Sequence, residues 1–211
     1  MPIDLTRWVP PDDGALFVVS GASGVGKTTL VREALARIPH LVFSVSATTR
    51  APRSGEVEGV DYTFVSEARF DALVGQDAFL EHATVYGNRY GTLREPVAQA
   101  VARGTSVLLD IDVQGAAQVR SRWPGAVTLF VLPPSLEVLA ERLKRRGTDA
   151  PDVLERRIRQ AHLHLASCGS FDYLVLNDRL EAACDQLQAI LVAELLKRGR
   201  RASWVRRFTQ A

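Results

Sequence analysis

Only two of the 211 residues are cysteine, Cys168 and Cys184. Two thiols at that spacing build neither a disulfide framework nor a metal-ligand set, and they point to a reducing, cytoplasmic compartment. No stretch approaches the roughly 18 consecutive apolar residues of a membrane-spanning helix. Met1 to Gly14 holds Asp4, Arg7, Asp12 and Asp13 and lacks the apolar centre of a secretion signal. Charge of one sign is not in excess. The net charge is +2, so composition argues for neither nucleic acid nor a membrane as partner. Internal repeats and low-complexity tracts are absent. His162 and His164 stand two apart in a helical stretch, which points them to different faces rather than to a shared metal, and His40 and His82 are isolated. What remains is a chain of ordinary globular composition, 46% hydrophobic and 24% charged, long enough for one domain with a full core.

The most informative run that is present is Gly21-Ala22-Ser23-Gly24-Val25-Gly26-Lys27-Thr28, followed by Thr29. It fits G-x-x-x-x-G-K-[ST], a phosphate-cradling loop. The apolar run Ala15-Leu16-Phe17-Val18-Val19-Ser20 before it reads as a strand, and residues 29–37 after it read as a helix. That order suits the chemistry. Glycines let backbone N–H groups converge on phosphate oxygens, and the helix N-terminus adds partial positive charge. Lys27 has the reach for β- and γ-phosphates, and the Thr28 hydroxyl suits Mg²⁺.

Further strand-like runs fall at 41–45, 105–111, 126–131 and 172–176, separated by helical patterns at 93–103, 113–121, 135–145 and 152–167, with a last helix over about 180–198. Strands alternating with helices predict an α/β fold, a P-loop NTPase-type parallel sheet flanked by helices. Segment 46–92 breaks the rhythm with six glycines and prolines and short β-rich pieces, and is expected to be a small mixed insertion. Arginine crowds residues 142–159 around Gly147 and Pro151, where a hinge between two helices is expected. The expected organisation is a leader at 1–13, a domain at 14–198 with an insertion at about 45–95 and a lid at about 136–167, and a basic, partly disordered tail at 199–211.

Ser46-Ala47-Thr48-Thr49-Arg50-Ala51-Pro52-Arg53-Ser54-Gly55-Glu56 resembles the S-x-T-T-R-x-P-R-x-G-E signature of guanylate kinases. The runs 79–83, 87–92, 109–115, 131–135 and 142–147 resemble that family's following blocks in order, so the resemblance covers about residues 14–196. It implies an enzyme that moves the γ-phosphoryl group of ATP to GMP with Mg²⁺ and no covalent enzyme intermediate. The GMP site it implies is the insertion. There Arg50 and Arg53 grip phosphate, Glu56 orients them, Tyr62 and Tyr90 donate hydroxyl bonds, and Glu81 and Asp112 face the guanine edge. Ser46 and Thr92 complete that pocket, Thr92 near guanine O6. Guanine offers N1–H and a 2-amino group to such carboxylates, whereas adenine offers neither there. The loop residues Gly21 to Thr29 would hold ATP, with Asn177 near the adenine. Thr28 and Asp110 would serve the metal, and Lys27, Arg142, Arg146 and Arg157 the transferring phosphoryl group. ATP and GMP are the implied partners, and homo-oligomerisation is left open.

Two other classes compete. Asp112-Val113-Gln114-Gly115 fits the D-x-x-G of GTPase switches, but no Asn-Lys-x-Asp guanine motif accompanies it. A guanylate-kinase-like binding module without catalysis typically lacks an intact phosphate loop, and this chain keeps one.

Overall fold

Successive residues of a strand face opposite ways, and the apolar run Leu16–Gly21 is buried throughout, so both of its faces must be covered. In the computed structural model, which describes residues 8–85, 87–145 and 151–209 (side chains excepted at 145 and 151–157), that is what is found. The first half contains β1 (Leu16–Gly21), α1 (Lys27–Arg37), β2 (Leu41–Phe43), β3 (Ser46–Thr48), β4 (Tyr62–Phe64) and α2 (Glu67–Gly75). Next come β5 (Phe79–Val85), β6 (Asn88–Leu93), α3 (Arg94–Ala102), β7 (Ser106–Asp110), α4 (Val113–Arg122) and β8 (Val127–Leu132). The remainder is α5 (Leu136–Arg145), α6 (Pro151–Ala166), β9 (Tyr173–Leu176), α7 (Leu180–Leu195) and α8 (Ala202–Thr209).

Five strands form a parallel sheet in the order β2-β7-β1-β8-β9. Phe17 and Val19 point into a core built with Leu30 of α1, Leu139 of α5, Ala161 of α6 and Leu187 of α7. Leu16 and Val18 point the other way, against Val97 of α3 and Val119 of α4. The expected α/β architecture is thus present. Strand β1 lies between β7 and β8, so the loop after it opens at the carboxyl edge where such sheets bind ligands.

The insertion is a second sheet, β4-β3-β6-β5, parallel between β3 and β4 and antiparallel elsewhere. Helix α2 packs on it through Phe70 and Leu73 against Ala47 and Phe79. This helix is not among the sequence expectations for 46–92. Its start is marked by Ser66, whose hydroxyl accepts from the Arg69 N–H at 3.1 Å. Two side chains of α4 hold the small sheet to the large one. Gln118 accepts from the His82 N–H at 3.2 Å and donates to the His82 carbonyl at 2.9 Å, while Arg122 donates to the Phe79 carbonyl at 2.6 Å.

The end of the chain differs from expectation. Residues 202–209 form α8 instead of a disordered tail, because the segment just ahead of β1 gives it partners. Asp12 accepts from both the backbone and the hydroxyl of Ser203. Arg201, 4% exposed, donates to the Leu195, Val9 and Pro10 carbonyls and lies over the rings of Trp8 and Trp204. Arg200 donates to the Gly14 carbonyl at 2.6 Å.

Candidate active site

Gly26 sits at φ 94°, a left-handed conformation, and immediately precedes α1. A β-carbon there would stand 2.4 Å from Nδ2 of Asn177. Gly26, the cap residue of α1, has no side chain to bond the first turn, which leaves that turn suited to an external acceptor. Asn177 is buried, and its amide nitrogen donates to the Val25 carbonyl at 2.7 Å. It therefore stands behind the loop and braces it, instead of presenting that nitrogen to an adenine as the sequence suggests. Lys27 Nζ donates to the Gly21 carbonyl at 2.8 Å, folding the lysine back over the loop, and lies 3.9 Å from Asp110 at the end of β7. Burial raises the Asp110 carboxyl and Lys27 opposes that rise. Thr28 is exposed in the first turn of α1.

One cavity of about 430 Å³ joins this loop to the small sheet. Its lining includes Gly21, Ser23, Lys27 and Asp110 from the large sheet and its loop, Ser46, Tyr62, Glu81 and Tyr90 from the small sheet, and Asp112 at the start of α4. Glu81 is 4% exposed. Burial pushes its carboxyl up to about 7, against the bond from Thr92 and with a further push from Asp112. Thr92, fully buried, donates to Glu81 Oε1 at 2.7 Å, so it orients the carboxylate rather than standing open to a purine oxygen. The approach of Glu81 to α4 depends on Gly115. A β-carbon there would lie 2.5 Å from Glu81 Oε2. Asp112 caps α4 by accepting from the Gly115 N–H at 2.8 Å. The D-x-x-G spacing weighed as a GTPase signature is thus a helix cap followed by a residue that must be small.

Arg50 is already organised. It donates to Glu56 at 2.7 Å and to the Ala51 carbonyl at 2.7 Å, lies 5.3 Å from the Tyr62 ring, and is raised above its ordinary range first by Glu56 and also by a bond with Tyr90. Glu56 also accepts from the Arg53 N–H at 2.7 Å, while Arg53 is exposed. Arg89 is held by the small sheet's own helix. It pairs with Asp71 at 2.5 Å and Glu67 at 3.4 Å and covers the Phe70 ring, pinning β6 to α2. Arg142 donates to the Asn177 carbonyl at 3.1 Å, and its buried Nη1 has no hydrogen-bond partner among the described residues, which suits an anionic ligand. Arg146 and the side chain of Arg157 lie outside the described residues. Of the expected residues, Gly21, Ser23, Lys27, Ser46, Tyr62, Glu81, Tyr90, Asp110 and Asp112 line one cleft. Sequence reasoning missed Gly115 and Gln118. The first was visible only as part of another motif, and the second bore no local signal.

A glycine loop at the head of a parallel sheet, opening onto a second pocket floored by a buried carboxylate, defines a P-loop nucleotide phosphotransferase. The guanylate kinase family model matches residues 13–194, and the chain belongs to that family. The guanylate kinase of Carboxydothermus hydrogenoformans is 49% identical over 184 residues, 87% of this chain and 90% of that protein. That of Gloeobacter violaceus is 52% identical over 180 residues, 85% and 88%. A crystal structure of guanylate kinase from Anaplasma phagocytophilum superposes with a TM-score of 0.74 at 34% identity, covering 91% of this chain and 92% of that one.

Proposed function

We infer that this chain is an ATP:GMP phosphotransferase, converting ATP and GMP to ADP and GDP. The observation that carries the reading is the continuity of one cavity from the uncapped start of α1 to the buried Glu81 carboxylate. A phosphate-binding end and a purine-edge end in one cleft bring two nucleotides phosphate to phosphate.

Each residue's role follows from its surroundings. Backbone N–H groups of Gly21 to Thr29 hold the donor phosphates, and Lys27 carries a positive charge to the bond being broken. Asn177 acts on ATP through the shape of the loop that it braces. Arg50, fixed by Glu56 and Tyr62, and Arg53 hold the GMP phosphate, with hydroxyl bonds from Tyr62 and Tyr90. Glu81, aimed by Thr92, accepts from guanine N1–H and the 2-amino group, and Asp112 accepts beside it. Ser46 closes the same pocket. Arg142, with Arg146 and Arg157 from the lid, meets charge that spreads over the transferring oxygens. Water is excluded as the lid segment covers the phosphates, which keeps the phosphoryl group from hydrolysis.

Mg²⁺ fits Thr28 and Asp110. Among the described residues no group of three acidic, histidine or cysteine side chains could hold an ion alone, so phosphate oxygens and water would complete its shell, as is usual for magnesium with nucleotides. When bound, it neutralises phosphate charge and polarises the transferring group.

The test is ADP production from ATP with GMP, AMP, CMP or UMP as acceptor. GMP should be used at least about 10³-fold more efficiently than AMP, since adenine leaves the buried carboxylate unpaired. No ADP with any acceptor, or equal use of GMP and AMP, would overturn the reading.

A further inference from the structure

Four histidines have no part in the roles above, and the structure separates them. His40 occupies a turn at φ 59°, and His82 packs among Phe70 and Phe79. His162 is exposed beside a small apolar hollow between α5 and α6. His164, two residues on, instead lines the main cavity with Gln160, one helical turn before it on α6. Residues 160 and 164 are four apart on α6, so both side chains project from the same side of that helix.

The position of His164 along the cavity fixes what it meets. The groups that act on it most are Asp112, on the start of α4, and Lys27, on the start of α1. Tyr62, Tyr90 and Glu81 of the small sheet and Asp110 of β7 line the same cavity. His164 shares this cavity with Lys27 of the phosphate loop and with Tyr62 and Tyr90, which meet the GMP phosphate if the proposed function holds, so the adjoining phosphates lie in the space that it lines, and the inference rests on that reading.

We propose that His164 is a phosphate-binding residue of the transfer site, its imidazole donating a hydrogen bond to a phosphate oxygen where ATP and GMP meet. It is not a general base. The attacking GMP phosphate oxygen carries negative charge and has no proton to lose. The bond from that oxygen to γ-phosphorus forms as the bond from γ-phosphorus to the β–γ bridging oxygen breaks, and ADP leaves with the electron pair. The imidazole therefore contributes position and charge. Burial and Lys27 hold it below its ordinary range and Asp112 partly restores it, so it is neutral above that range in the free protein. Phosphate oxygens arriving beside it favour the charged form, so nucleotide binding draws a proton onto His164.

The experiment compares wild type, His164→Gln and His164→Lys between about pH 6 and about pH 8.5, with thermal unfolding of each. Glu81 titrates in this window but is common to all three, so it cancels in ratios. The wild-type to His164→Gln ratio of kcat/KM should be about tenfold at the acid end and shrink towards about twofold at the alkaline end, with His164→Lys recovering the loss there. In the second measurement, the His164 ring resonances are followed by NMR in wild type as an adenosine–guanosine oligophosphate or inorganic phosphate is added. The midpoint of their titration should move upward. A ratio of one at every pH, an equal loss at every pH, or a midpoint that neither ligand moves would overturn the proposal. If wild type does not phosphorylate GMP, the functional reading falls by itself, while the inorganic phosphate titration still reports whether His164 contacts an anion.

Discussion

Glu81 combines a charge-bearing group with nearly complete burial, and its behaviour with pH follows. Its carboxyl sits at about 7 in the folded protein, against an ordinary value of 4.5. Between those values the folded state holds a proton that the unfolded chain has given up. The stability tied to Glu81 is therefore full below about pH 4.5 and is lost as the pH rises through about 7. Without GMP, the melting temperature of wild type relative to Glu81→Gln should fall between about pH 5 and about pH 8. Guanine donors favour the carboxylate, so GMP binding near pH 7 should release a proton, measurable by calorimetry in buffers of different ionisation enthalpy. The same variant should lose about 100-fold in kcat/KM for GMP with little change in KM for ATP. Gly115 gives a complementary prediction. Alanine is favoured in a helix by about 1 kcal/mol, yet its β-carbon would fall 2.5 Å from Glu81 Oε2. Gly115→Ala should leave thermal stability unchanged or higher while raising KM for GMP about tenfold or more. A parallel loss of stability would instead mean that α4 itself had moved.

At the scale of elements, legibility tracked how local the determining physics is. The loop from Gly21 to Thr28, the strands of the parallel sheet and helices α3 to α7 were readable because period, glycine and apolar runs all act within a dozen residues. Helix α2 was not, because its apolar contacts are with Ala47 and Phe79, a distant strand and a following one, and glycines on either side hid its period. The carboxylate of the purine pocket was readable only through resemblance. Its orientation by Thr92 and its clearance over Gly115 depend on a strand pairing and a helix approach that no local pattern encodes. Helix α8, expected as part of a partly disordered tail, was not legible for the same reason: Asp12 and Trp8, the partners of its segment, lie almost the whole chain away. Its attachment is testable. Arg201→Ala removes a buried guanidinium between two indoles and three carbonyl contacts, and should lower stability by about 2–3 kcal/mol while kcat stays within about twofold. Tryptophan fluorescence should report the change through Trp8 and Trp204. A variant as stable as wild type would show that α8 is only loosely held.

At the scale of the molecule, activity depends on how the two sheets face each other, and the described contacts that fix this are few. Gln118 pairs with both backbone groups of His82, completing an exposed strand edge much as another strand would. Gln118→Leu keeps the bulk and loses both bonds. It should cost about 1–3 kcal/mol of stability and reduce kcat/KM for GMP about tenfold, with ATP binding less affected because the phosphate loop belongs to the other sheet. Unchanged GMP kinetics would assign the placement of β5 to Arg122 alone. The pairing of Asp12 with Ser203 has a different consequence, for chain connectivity. It brings Asp12, ahead of the first strand, within a hydrogen bond of Ser203 in the last described helix, so the described part of the chain nearly closes on itself. Joining the chain directly ahead of Trp8 to the chain after Thr209 by a flexible linker and cutting it at Gly55, where the surroundings are open, should yield a circular permutant that still folds. Such a permutant would carry new termini at the small sheet, placing a fused reporter beside the cleft.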